Sequence, residues 1–247
     1  MSGNKPAGEI TEHKLVHGWA SAPRVRVRQA VASDLPAVAK LAVLAGVQLD
    51  DYLADAVIAG TAGMALRAGL RGGWDGFTRC MAEQFFAYRD DPLPAYLAAA
   101  LVLVAEHRDR SVVGALIAYP PAHVAQDHLG FTRHIITDPR ERGKLVMVGA
   151  TAIAKVKAVA VDESARGHNI GGSLLKRCKQ VYSHCRYQII YGQMPPVPGL
   201  DAFYRRNGFE VLAKGTELDL WVVFGVHSRI RAGQDERFFI HQPAQLP

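Results

Sequence analysis

The chain has 247 residues, 49% hydrophobic and 21% charged, a globular balance able to bury a core without disulfides. No run of about 18 apolar residues occurs, and the polar start MSGNKPAGEITEHK lacks a secretory apolar core, so a cytoplasmic location and no membrane partner are expected. A formal net charge of +6 favours acidic ligands, but the scattered lysines and arginines do not favour nucleic acid.

Residues 1–22 are polar and aperiodic and read as a flexible N-terminal arm. RVRVRQA (24–30) alternates as a strand, and SDLPAVAKLAVLA (33–45) starts as a helix, with Ser33 as N-cap and Pro36 in the first turn. Two helices are expected over 50–68 and 74–88, broken at RGGWDG, with Phe77, Phe85 and Tyr88 in the core. YLAAALVLVAEHRD (96–109) and SVVGALIAYPP (111–121) predict a hairpin turning at Arg108-Asp109-Arg110. Residues 122–151 have turn signals and weak periodicity, and read as an insertion with a loop or short helix. AKVKAVAVDES (154–164) is the clearest strand, followed by a loop and a helix. YQIIYGQ (187–193) predicts a strand and PGLDAFYRRNG (198–208) a helix. FEVLAKG (209–215) and LDLWVVFGV (218–226) then predict a closing strand pair, and RFFIHQ (237–242) one more strand in the tail. This order gives a mixed α/β layer architecture rather than a strict βαβ series. Cys80, Cys178 and Cys185 have no metal-like spacing and fit reduced thiols.

The stretch ARGHNIGGSLLKRC (165–178) carries the chemistry. Leu174, Leu175, Cys178, Val181, Tyr182 and Cys185 share one face of a helix, so the glycines sit at a helix N-terminus. Unpaired N–H groups and the helix dipole attract anions there, and Arg166 adds a cation. Glycines at a strand-to-helix turn also occur for steric reasons alone. Gly167 and Gly172 have the separation of a P-loop, but Ser173-Leu174 follow where its Lys-Ser/Thr would stand. The dinucleotide fingerprint G-x-G-x-x-G is absent as well.

Arg166-Gly167-His168-Asn169-Ile170-Gly171 resembles the Arg/Gln-x-x-Gly-x-Gly/Ala loop of the Gcn5-related N-acetyltransferase (GNAT) superfamily. Phe203-Tyr204-Arg205-Arg206-Asn207-Gly208-Phe209 resembles that family's F-Y-x-x-x-G-F, in the expected order. The resemblance covers about residues 24–226. It implies an acetyltransferase domain over 23–226, a variable insertion at about 120–152, and a tail from 227 to 247. The implied fold is a mixed, mostly antiparallel sheet with helices on both faces and a splayed parallel pair formed by 154–162 and 187–192. It also implies acetyl-CoA as cosubstrate and no metal. Cofactor contacts fall on Val159, Ala160 and Val161 of the strand and on Arg166, Gly167, His168, Asn169, Ile170, Gly171, Gly172 and Ser173 of the loop. Asn169 stands where the family has its first glycine, and asparagine is the non-glycine residue best suited to a left-handed conformation. Val197 stands where the family often has Asn.

By the same resemblance Tyr204 protonates the leaving sulfur while an amine attacks acetyl-CoA directly. Glu83, Glu106 and His134 are each candidates for the base, with none preferred. The acceptor expected is a small-molecule or protein amine. An RNA-borne amine such as aminoacyl-tRNA, and a non-catalytic acyl-CoA-binding module, stand as alternatives. A homodimer is left open.

Overall fold

The computed structural model describes residues 10–22, 24–88, 91–122, 124, 137–225 and 229–243. The chain begins with a short helix, α1 (Glu12–His17), whose Lys14 N–H donates to the Thr11 hydroxyl at 3.3 Å. A strand, β1 (Trp19–Ala22), follows and pairs antiparallel with β2 (Val25–Gln29). Leu15 and Trp19 are buried, so the stretch read as an arm is docked from residue 10 onward. A 3₁₀ turn at Ala32–Asp34 leads into α2 (Leu35–Leu44), then α3 (Asp51–Ile58) and α4 (Met64–Ala87). Next come α5 (Leu93–Leu97) and the hairpin of β3 (Leu101–His107) with β4 (Val112–Tyr119). The chain continues through α6 (Pro139–Ala152), β5 (Ile153–Val161), α7 (Ile170–His184), β6 (Ile189–Met194) and α8 (Leu200–Arg206). It closes with β7 (Glu210–Val211), β8 (Leu218–Asp219), α9 (Trp221–Phe224), β9 (Arg229–Ile230) and β10 (Arg237–His241).

Several elements depart from the expected ones for local reasons. The helix expected over 50–68 is broken at Ile58–Met64, where Gly60 and Gly63 take φ of +71° and +69°. The break expected at RGGWDG is a kink at Gly72 and Gly73 inside α4. The strand expected from residue 96 starts at Leu101, because Asp91 caps the Leu93 N–H at 3.0 Å and Pro94 sits in the first turn of α5. Asp138 likewise caps the Arg140 N–H at 2.8 Å and places Pro139 at the start of α6, a helix longer than expected. Tyr88 is 45% exposed rather than core, whereas Phe77 is fully buried.

Segments 209–215 and 218–226 do not pair with each other. β8 pairs with β9 in a separate two-stranded ribbon, and Trp221–Phe224 is helical. The expected tail strand, β10, instead runs antiparallel between β6 and β7. The main sheet has the order β1-β2-β3-β4-β5-β6-β10-β7, antiparallel throughout except for the parallel pair β5–β6.

Helices cover both faces. Val102, Val104, Ala115 and Ile117 pack with α2 and α3 residues such as Val38, Leu41 and Leu53. Leu101, Leu103, Leu116 and Ala118 face Leu66 and Phe77 of α4 and Leu174, Leu175, Cys178, Val181 and Tyr182 of α7. The buried face of α7 is the one its spacing predicts. The buried Tyr182 hydroxyl donates toward the carbonyls of Ala99 and Ala118, both at 3.1 Å, and ties this helix to the sheet. Cys80, Cys178 and Cys185 are free and buried.

The register of β5 changes at one residue. Ile117 is opposite Ala158 but Ala118 is opposite Val156, so Lys157 is an extra residue, a β-bulge. Side chains alternate faces along a strand, so one inserted residue exchanges the two faces. Ala154 and Val156 pack on the α4/α7 side, while Ala158 and Ala160 pack on the α2/α3 side. The parallel ladder with β6 runs from Ile153–Ile189 to Val156–Gly192 and stops there. A Cβ on Gly192 would lie 2.2 Å from Phe239 Cζ and 2.7 Å from the Val156 carbonyl. Gly192→Ala is therefore expected to destabilise the fold by about 1–3 kcal/mol. Urea unfolding should show a lower midpoint with an unchanged slope.

Candidate active site

Past Val156 and Gly192 the two parallel strands separate, and β5 keeps a partner only on its β4 side. The Asp162 N–H donates to the Val113 carbonyl at 2.8 Å, on that side. By strand alternation the main-chain groups of Val161 and Val159 point the other way, into the gap. The gap leads to the start of α7. Gly167 and Asn169 take φ of +83° and +56° there, so the asparagine adopts the left-handed conformation expected of it. The Ser173 N–H bonds the Asn169 carbonyl at 3.0 Å. The N–H groups of Ile170, Gly171 and Gly172 precede it and have no partner within the helix.

A cavity of about 870 Å³ joins these parts. Val159, Ala160, Val161, Arg166, Gly167, Asn169, Ile170, Gly171, Gly172 and Tyr204 all line it. The structure does not bring His168 and Ser173 to that lining. His168 is exposed with Nδ1 at 3.0 Å from the Arg166 carbonyl, and the Ser173 hydroxyl donates to the Ser21 carbonyl at 3.2 Å. Leu44, Ala45 and Gly46, after α2, form part of the opposite wall. Lys157, Gln193, Met194 and Phe239 also line the cavity, and sequence reading missed them. Strand membership could have suggested Gln193 and Met194, but nothing local to residue 239 places it beside β6.

Tyr204 sits in α8 with 8% of its surface exposed. Its ring stacks on Phe239 at 3.7 Å between centroids and meets Phe203 and Phe209 edge-on. Burial pushes its phenol well above the ordinary tyrosine pKa. Gln193 is held from two sides, accepting from Lys155 Nζ at 2.9 Å and donating to the Arg231 carbonyl at 3.3 Å. Burial lowers the pKa of Lys155.

Of the candidate bases, Glu83 is exposed, Glu106 is buried, and neither lines the cavity. His134 lies outside the described residues. Glu106 accepts from Arg26 and, at 3.3 Å, from Arg28, which also forks onto Asp34 at 2.6 and 3.0 Å. Among the described residues no group of three or more His, Cys, Asp or Glu is placed to hold a metal ion, and no helix is long and apolar enough to cross a membrane.

Residues 98–211 match the family model of the acetyltransferase (GNAT) domain. The matched stretch runs from just after α5 through β7. Among solved structures the chain is similar to yncA from Salmonella typhimurium, solved with its cofactor acetyl-CoA, at 15% identity and a TM-score of 0.46, covering 90% of this chain and 96% of that one. It is also similar to the Drosophila melanogaster polyamine N-acetyltransferase, at 15% identity and a TM-score of 0.45 over 88% and 99% of the two chains. A ribosomal-protein-alanine N-acetyltransferase from Brucella melitensis shows 19% identity and a TM-score of 0.42 over 87% and 96%. No curated protein sequence matches the chain. The matched stretch contains β5, the loop and α8, while Leu44–Gly46 and Phe239 come to the same cavity from outside it.

Burial raises the pKa of the Glu106 carboxyl, but hydrogen bonds from Arg26 and Arg28 outweigh it and hold the group below the usual range. A depressed carboxylate stabilises the fold above its unfolded pKa of about 4.3, and that stability is lost as pH falls through the folded value. Glu106→Gln is expected to cost about 2 kcal/mol at neutral pH. It should also flatten the loss of stability between about pH 4.3 and lower pH, read from thermal melts, and leave the pH profile of turnover in place.

Proposed function

We propose that the GNAT domain transfers an acetyl group from acetyl-CoA to a primary amine by direct attack, the acceptor being a small molecule or a protein amine. One observation carries the reading: the edge of β5 at Val159 and Val161, which no strand pairs and whose Val161 carbonyl accepts only from Arg166 Nε at 3.3 Å among the described residues, lines the same cavity as the N-terminus of α7. An extended chain bearing amides at one end and a diphosphate at the other is complementary to that edge and that terminus. The cradle fits a group that needs close approach to the backbone. A Cβ on Gly172 would lie 2.3 Å from Asn169 Oδ1, and one on Gly171 would lie 3.1 Å from Phe203 Cζ.

The N–H groups of Ile170, Gly171 and Gly172 and the Arg166 guanidinium would hold the diphosphate, with Gly167 and Asn169 shaping the turn. Val159 and Val161 would pair with the pantetheine amides, and an N–H at one of them would polarise the thioester carbonyl. Acetyl-CoA supplies the activated acyl group. Tyr204 holds the proton needed by the departing sulfur. Burial raises its pKa, so the phenol stays protonated at neutral pH and is available to donate to the departing sulfur. Phe239, Phe203 and Phe209 fix the plane of its ring. Among the described residues the lining has no carboxylate or imidazole, whereas Lys157, Arg166 and Arg206 are cationic. Like charges favour the neutral form of an entering amine, which is the nucleophilic form.

Calorimetry with acetyl-CoA tests the cradle. Gly171→Glu places a bulky anion where the diphosphate would lie, and a loss of about 100-fold in affinity is expected. Unchanged binding in a folded variant would contradict the assignment. Tyr204→Phe should lower kcat by roughly 100-fold with acetyl-CoA affinity retained. Thiol release measured against small amines, polyamines, peptides and charged tRNA gives the acceptor, and full turnover by the Phe variant would remove the acid role.

A further inference from the structure

The lining of the 870 Å³ cavity holds the cations Lys157, Arg166 and Arg206 and, among the described residues, no carboxylate. Arg166 follows β5 in the loop, and Arg206 shares a neighbouring cleft with Asn169 and Gly172, so both lie at the diphosphate end. Lys157 lies at the other end. It stands four residues before Val161 on β5, roughly 13 Å along a strand, and directly after the last ladder pair, Val156–Gly192. It is also the bulged residue, and a bulge re-aims the side chain it carries.

The Lys157 ammonium is uncommitted in charge. Its Nζ lies 5.7 Å from the centre of the Tyr119 ring, and among the described residues it forms no ion pair. Its field reaches Lys155, whose pKa burial lowers; Glu236 opposes that shift and Lys157 adds to it. Both of those neighbours are engaged. Lys155 Nζ donates to Gln193 Oε1 at 2.9 Å, and Glu236 accepts from the Gly233 N–H at 3.2 Å without lining the cavity. Gln193 does line it, and of its two Nε2 hydrogens one goes to the Arg231 carbonyl. The opposite wall, Leu44–Gly46, is apolar.

Resting on the cofactor reading above, we propose that the acceptor is a small amino acid, whose carboxylate is bound by Lys157 with the Gln193 amide alongside. With the thioester beside Val159, the end of the lining around Lys157 and Gln193 is left for the acceptor. A polyamine would bring further ammonium groups to walls with no anion to receive them, and Lys157 would repel them. A carboxylate removes that mismatch through a charge-assisted hydrogen bond from Nζ. Pairing with Lys157 also screens the acceptor's ammonium from its own carboxylate, which favours loss of the amine proton before attack.

Thiol release from acetyl-CoA by the full chain tests this with amino acids, each set against its carboxamide, and with putrescine, spermidine and short peptides. The acids should show kcat/KM at least about tenfold above that of their carboxamides. Lys157→Met should raise KM for the acids roughly 10- to 100-fold and bring acid and carboxamide within about threefold of each other, while Lys157→Arg should keep the preference. Calorimetry with acetyl-CoA shows that each variant is folded, since the diphosphate end is untouched. Carboxamides, polyamines or peptides used as well as the acids by the unaltered protein would overturn the inference. So would a preference for the acids that survives in Lys157→Met, or acetyl-CoA binding with no turnover of any amino acid. Each of these outcomes leaves the cofactor reading intact, whereas failure to bind acetyl-CoA removes that reading and this inference with it.

Discussion

Two strands that run parallel and then part cannot keep their hydrogen bonds, and the fold is arranged around tolerating that loss at one place. The bulge at Lys157 bends β5 away from β6 just after the last ladder pair, Val156–Gly192. An unpaired strand edge inside a protein costs free energy unless water or a ligand satisfies it. Here the edge faces a cavity rather than the core, so its groups stay open to solvent, apart from the Val161 carbonyl, which accepts from Arg166 Nε at 3.3 Å. The same bulge exchanges the faces of β5. It thereby lets Ala158 and Ala160 pack under α2 and α3 while Val159 and Val161 pack toward α7. A regular strand could not have served both helix layers on either side of the gap.

β10 makes the divergence stable. It supplies β6 with a full antiparallel partner, from Arg237–Met194 to His241–Ile190, so β6 loses pairing on only one side. Its Phe239 occupies the space that Gly192 leaves open and stacks on Tyr204. The ring that holds the tyrosine thus comes from a strand that follows it by more than thirty residues in sequence. Core packing and the site are the same contacts here, and Phe239 belongs to both.

This explains what was readable along the chain. Local signals placed β2, α2, β4, β5, α7 and α8, because each has its own alternation, helical face or cap. The loop at 166–172 was readable because helix-terminal N–H groups and left-handed φ are local properties, and Asn169 met that demand as its chemistry allows. The partner of β6 was not readable. Pairing between distant segments is decided by packing on both faces, and two-residue strands such as β7 and β8 carry no periodicity at all. The start of α6 is a different case, since Asp138-Pro139 is a helix-start signal that weak periodicity downstream obscured. His168 and Ser173 were readable as members of the loop but not by direction. A helix N-terminus turns successive side chains through about 100° each, so only part of a contiguous motif can face one cavity.

Ionic groups are sorted by the same geometry. At the β2–β3 end of the sheet, Arg26 and Arg28 are matched by Glu106 and Asp34, so charge there is spent inside the protein. Around the start of α7 the cations have no such partners among the described residues, and the helix dipole adds to their field rather than opposing it. The carboxamide oxygens of Asn169 and Asn207 are both directed at the position a Gly172 side chain would fill. Asparagine suffices for the turn at 169, whereas at 172 a side chain would have to displace both carboxamides. The positive field extends along the whole path that a phosphorylated ligand would follow.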